Sequence, residues 1–192
     1  TVTTLATFGK YPYPVRNEKK YGVLHADMDT MAVVADKTDM RPDGKGGWIR
    51  HPLAWLMEAA DDICYLTVDL EDAAQIGIID FDTVLDHFRL LLDDKTIDTA
   101  RKMTDRNQSL KFLRSRVVKN LINACVDVFP QIADKMEAGT LDKTYGGGLV
   151  GHGEHGQAMD QIRKFSNENI YKSAHIQTAR KKYREQMSIA LE

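Results

Sequence analysis

Asp61, Tyr65 and Asp69 stand at i, i+4 and i+8 within Glu58-Ala59-Ala60-Asp61-Asp62-Ile63-Cys64-Tyr65 and the Val68-Asp69-Leu70-Glu71-Asp72 that follows. On an α-helix such positions share a face and make a ladder about 12 Å long. Met57, Cys64 and Val68 fall within about 60° of Asp61 on the helical wheel. The pattern therefore predicts a carboxylate bounded by an apolar stripe. An unpaired buried charge is costly to desolvate, so Asp61 needs a partner, and a metal ion is one. The commoner explanations for an acidic helix residue are a salt bridge or a place near the positive helix N-terminus. Asp61 lies too far beyond the helix start expected at Pro52 for the second of these.

Other residues with chemical potential have plainer explanations. Gly146-Gly147-Gly148 with Gly151 lacks the Lys-Ser/Thr of a phosphate loop and reads as a connector. His152-Gly153-Glu154-His155 offers metal-ligand types, but its glycine breaks a helix and its spacing differs from that of a zinc-binding helix. Arg180-Lys181-Lys182-Tyr183-Arg184 reads as a solvated helix face, with an anion or subunit contact as the alternative. Arg114 and Arg116 admit surface pairing or a phosphate-facing role. Cys64 and Cys125 lie in apolar helical patterns and read as buried free thiols of a reducing cytoplasm.

The elements that must position these groups read as almost wholly helical. Residues 1–8 look like the tail of a helix ended by Gly9, Pro12 and Pro14. No capping signal precedes them and the first residue is not Met, so the chain is expected to be a piece of a longer protein. Residues 10–20 form a loop. Asp27 or Asp29 caps a short helix over 30–36, with Met31, Val34 and Ala35 as its apolar side. The central helix runs from Pro52, a favoured first-turn residue, to about Gln75, and Gly77 ends it. Leu53, Leu56, Met57, Ala60, Cys64 and Thr67 supply its expected core stripe. Asp82 is the expected cap of the next helix. A strong amphipathic helix covers 109–129, where Pro130 kinks or ends it. Residues 139–156 read as a flexible glycine-rich loop, and helices near 157–167 and 176–189 close the chain. The 192 residues are expected to form a single helical region.

Composition excludes more than it selects. At 43% hydrophobic, 28% charged and a net charge of -2, the chain gives no bulk electrostatic reason to bind nucleic acid or a membrane surface. No apolar run approaches the roughly 18 residues of a membrane span.

Arg50-His51-Pro52-Leu53-Ala54-Trp55-Leu56-Met57-Glu58 through Tyr65, with Val68 through Ala73, resembles the signature of bacterial dGTPases. These are deoxynucleotide triphosphohydrolases of the HD-domain superfamily. Leu5 through Pro12, Lys20 through Val23, Leu113-Arg114 through Phe129 and Asn169 through Ser173 are similar to the family in the same order. The resemblance implies an all-α, HD-domain-like helical bundle, of which this chain would be the C-terminal part. It implies hydrolysis of a dNTP to deoxynucleoside and tripolyphosphate at one divalent metal, Mg, Mn or another transition metal. The family binds that metal through a His, a His-Asp doublet and a distant Asp, and Asp61 matches the last. Tyr65 matches the residue against the sugar, Asp69 the acceptor of its 3′-hydroxyl, and Lys10 and Tyr11 a pair that approaches the triphosphate. Arg114 is a weaker carry-over to substrate. Homo-oligomers are the family's habit.

The chain also departs from the pattern. None of its six histidines sits in a His-Asp doublet. The remaining ligands and the catalytic residues are then expected upstream of Thr1, which would leave the isolated chain inactive. Residues 176–183 lack the Glu-rich pattern found there in dGTPases, which loosens the link to guanine. Two other functions fit: another HD-superfamily nucleotide phosphohydrolase, and a non-catalytic helical module for regulation or oligomerisation.

Overall fold

The computed structural model describes residues 1–15, 20–141 and 148–190, and among them the chain is all-α. An isolated bridge between Pro42 and Trp48 is the extended pairing present among those residues. No helix among them is long and apolar enough to cross a membrane.

Helix α1 (Val2–Phe8) has its own N-cap. The Thr4 N–H donates to the Thr1 hydroxyl oxygen at 3.1 Å, so Thr1 itself is the cap where the sequence predicted none. After a 3₁₀ turn (His25–Asp27), α2 (Met28–Lys37) buries Met31, Val34 and Ala35 as the pattern predicts. Asp27 occupies its N-cap position without a side-chain capping bond.

Helix α3 (Pro52–Gln75) has the predicted limits. The Leu53 N–H donates to His51 Nδ1 at 3.2 Å, so an imidazole caps the helix. Gly77 at φ 75° provides the left-handed residue that stops it. Its buried face differs from the expected stripe. Ala54, Ala59, Ile63, Leu66, Leu70 and Ala73 are buried, together with Thr67 and Glu71. Leu53, Leu56, Ala60 and Cys64 are exposed. Both sets repeat at helical spacing, so periodicity alone does not choose between them.

Asp80, not Asp82, caps α4 (Phe81–Phe88); its carboxylate accepts the Thr83 N–H at 2.7 Å. Its extended backbone, which an N-cap requires, decides this. Asp93 caps α5 (Asp94–Lys102) in the same way. Helix α6 (Arg106–Ala138) runs through Pro130, where the sequence predicted an end or kink. Pro130 and Val126, whose carbonyl loses its usual donor, are both exposed, so water can satisfy that carbonyl.

The expected loop 139–156 contains a helical turn, α7 (Leu149–His152), with Leu149 and Val150 buried. The Gly146-Gly147 part of the supposed phosphate loop lies outside the described residues. Helix α8 (Gly156–Phe165) continues into a π-helical turn (Ser166–Ile170), and α9 (Ala174–Ala190) follows.

Contacts divide the chain into two compact units. Unit 1 comprises Thr1–Asp62 and Ile122–Glu154, and unit 2 comprises Ile63–Leu121 and His155–Glu192. In unit 1, Ala6, Val23, Met31, Val34, Ala35 and Met40 form a core cluster against which Val2, Met28 and Trp48 pack. In unit 2, Leu70, Leu85, Phe88, Ile97, Leu113 and Ile162 are among the large, fully buried side chains.

Candidate functional site

In unit 1 the segment that ends α1 presents Lys10 and Tyr11. The Lys10 N–H donates to Phe8 O at 2.8 Å and the Trp48 N–H to Pro12 O at 3.0 Å, which fixes the segment at both ends. Gly22 packs against its middle: a Cβ there would lie 2.6 Å from the Tyr11 carbonyl oxygen.

The side chains close a ring. Lys10 Nζ lies 2.9 Å from Glu58 Oε1, and Arg50 Nη1 pairs with the other Glu58 oxygen. Arg50 Nε–H donates to the Lys10 carbonyl at 2.8 Å. The Arg50 guanidinium also lies 4.4 Å from the Trp55 ring centre and 5.6 Å from that of Tyr11. The Lys10 and Lys20 ammonium groups stand 5.9 and 5.4 Å from the Tyr11 ring. Burial pulls the Lys10 pKa down, but the hydrogen bond to Glu58 and the charges of Glu58 and Tyr11 outweigh it, so the net shift is upward. Lys10 is therefore a standing cation. Chemically, the cluster suits a polyanion: three cationic side chains gather around Tyr11, and Glu58 neutralises part of their charge.

Asp61 is exposed. That removes the physical ground for expecting a cation beside it, because a solvated carboxylate has no desolvation penalty to offset. Among the described residues no group of three or more His, Cys, Asp or Glu is placed to hold a metal ion. By themselves they do not fit one.

In unit 2, Tyr65 is 62% exposed and Asp69 is half-buried. The Tyr171 hydroxyl donates to Asp69 Oδ2. Burial, that hydrogen bond and the charge of Asp69 push the Tyr171 pKa well above its usual value, partly countered by Arg163 and Arg180. Arg114 is engaged within the fold: its Nε lies 2.9 Å from Oε2 of buried Glu71, an ion pair without hydrogen-bond alignment. Glu71 Oε1 accepts from Gln75 Nε2 at 2.9 Å.

Lys10, Tyr11 and Asp61 thus belong to unit 1, and Tyr65, Asp69 and Arg114 to unit 2. Sequence reasoning missed Arg50, Glu58 and Tyr171 as members of these clusters. All three lie in segments that resemble the family, and only the fold supplies their partners. Cys64 is exposed, against expectation, and Cys125 is buried as expected. Met57 and Val68, the other supposed boundaries of Asp61, are only half-buried.

No family model matches the chain. It is 33% identical over 158 residues to the deoxyguanosinetriphosphate triphosphohydrolase-like protein of a Synechocystis species, a match that takes in 75% of this chain and 35% of the relative. With the protein of the same description from Pseudomonas aeruginosa it shares 31% identity over 184 residues, 89% of this chain and 40% of the relative. A shorter match, 38% over 69 residues, joins it to the deoxyguanosinetriphosphate triphosphohydrolase of Klebsiella pneumoniae and covers 36% of this chain and 13% of that one. The all-α chain is therefore similar to proteins described as a deoxyguanosinetriphosphate triphosphohydrolase or as a protein like it. Over most of its length it is homologous to the deoxyguanosinetriphosphate triphosphohydrolase-like proteins, as its motif predicts. It spans 35% and 40% of the length of the first two of these relatives.

Proposed function

We propose that the protein to which this chain belongs hydrolyses a deoxynucleoside triphosphate, dGTP by preference, to the deoxynucleoside and tripolyphosphate. The observation that carries the reading is helix α3, which bears Asp61, Tyr65 and Asp69 at one-turn spacing in a chain homologous to triphosphohydrolase-like proteins. Asp61 is this chain's contribution to a divalent metal site, Mg or Mn, of the HD type. Its other ligands come from sequence that the chain does not contain. Lys10, steadied by Glu58 and seconded by Arg50, meets the polyphosphate with Tyr11 beside it. A fixed cation there stabilises charge on the departing tripolyphosphate. Asp69 accepts the sugar 3′-hydroxyl, and the exposed Tyr65 ring gives the sugar an apolar wall. Arg114, already paired with Glu71, keeps at most an indirect part. A homo-oligomer completes the reading.

The test is product analysis on the full-length protein with dGTP and Mn or Mg. Release of tripolyphosphate is expected, with its loss in Asp61→Ala. Full activity in that variant would remove Asp61 from the mechanism. Light scattering checks the oligomer, and a monodisperse monomer would refute it.

A further inference from the structure

We propose that Tyr171 is a positioning residue for sugar recognition, its hydroxyl holding Oδ2 of Asp69 so that Oδ1 faces the substrate's 3′-hydroxyl. The inference rests on the reading of Asp69 as the sugar acceptor and adds a residue to which the resemblance assigns no role. A carboxylate that accepts a substrate hydroxyl must keep one oxygen in place. An aspartate on a helix has two side-chain torsions to fix, and solvent alone fixes neither. The Tyr171 O–H···Oδ2 bond supplies the restraint from residues 102 positions away in the chain.

The backbone around Tyr171 is built to deliver that hydroxyl. Helix α8 widens at its end into the π-turn Ser166–Ile170, closed by the Tyr171 N–H on Ser166 O at 2.9 Å. Ser166 and Ile170 are buried and anchor the turn. On its far side Gln177 Nε2 donates to the Tyr171 carbonyl at 2.7 Å. A π-turn inserts one residue into an α-helical path. Without it, Tyr171 would be rotated by roughly 100° about the helix axis and turned away from Asp69. Single π-turns inside helices are frequent at functional sites for this reason: they re-aim one side chain. The Tyr171 phenol, which titrates near 10 even when unperturbed and is shifted upward here, is protonated and so a donor throughout the neutral range.

The experiment compares two substrates that differ only at the 3′ position: dGTP and 2′,3′-dideoxyguanosine triphosphate. The protein is full length, as wild type, Tyr171→Phe, Asp69→Ala and the double variant. Tyr171→Phe is expected to lower kcat/KM for dGTP about tenfold, the scale of a lost bond to a charged group. For the dideoxy substrate, which has no 3′-hydroxyl to place, the change should stay within about twofold. In the Asp69→Ala background Tyr171→Phe should add nothing. Equal losses on both substrates would show that Tyr171 merely supports the fold and would overturn the assignment. If Tyr171→Phe does not fold, Gln177→Ala takes its place, with a smaller loss that depends equally on the 3′-hydroxyl; a loss without that dependence again overturns it. Wild-type protein that hydrolyses neither substrate would overturn the dNTP reading as well.

Discussion

Glu58 uses both carboxylate oxygens, one on Lys10 and one on Arg50, and this decides what its loss would do. Glu58→Ala leaves two cations facing each other without the charge between them. Stability should fall by about 1–2 kcal/mol, the scale of a lost charge-assisted bond that is only partly buried. If Lys10 meets the polyphosphate, KM for dNTP should rise more than kcat falls, and Glu58→Gln should lie between wild type and Glu58→Ala. An unchanged KM in a folded Glu58→Ala would separate this ring from substrate. The sequence carried Asp61, Tyr65, Asp69, Lys10 and Tyr11 as candidates because each lies in a contiguous motif. It did not carry the partnerships. The Arg50–Lys10 bond joins residues 40 positions apart and the Tyr171–Asp69 bond residues 102 apart. No local spacing encodes such pairs.

Helix α3 shows which features of an element are local and which are not. Its limits were legible because Pro52 suits a first turn and Gly77 a left-handed stop. Its buried face was not, because two apolar stripes compete and only tertiary packing selects Ile63, Leu66 and Leu70. The cap at its start brings a pH dependence. His51 Nδ1 accepts a backbone N–H, which requires the neutral imidazole. Burial lowers the His51 pKa below its usual value, partly countered by Glu137. The folded state therefore binds a proton less readily than the unfolded chain. The resulting stability is complete above the unfolded value of about 6.5 and is lost as pH falls through the lower folded value. Thermal melts at stepped pH should show this loss, and His51→Asn, which keeps a capping oxygen, should flatten it. An equally steep profile in that variant would assign the dependence elsewhere. Pro130 in α6 is a second element-scale case. Pro130→Ala should raise the melting temperature, because it restores an N–H to the helix without altering the core. A lowered melting temperature would mean that Pro130 serves the fold in another way.

For the molecule as a whole, the all-α class was legible from the 3.6-residue periodicity, whereas the division into two units was not. Helices α3 and α6 each contribute residues to both units, so no composition shift or linker marks a boundary. Phe88 is fully buried in unit 2, and Phe88→Ala should cost about 3–5 kcal/mol in chemical unfolding. A cost below about 1 kcal/mol would mean that the site collapses without a cavity. The two thiols of the chain have opposite surroundings: Cys64 is exposed, whereas burial pushes Cys125 up to about 11. At neutral pH the thiolate reacts and the thiol does not. A maleimide dye should therefore attach once, at Cys64, one residue from Tyr65 and less than a turn from Asp61 on α3. Between its two cysteines, this chain thus offers one attachment point for an optical reporter, on the helix that bears its candidate residues.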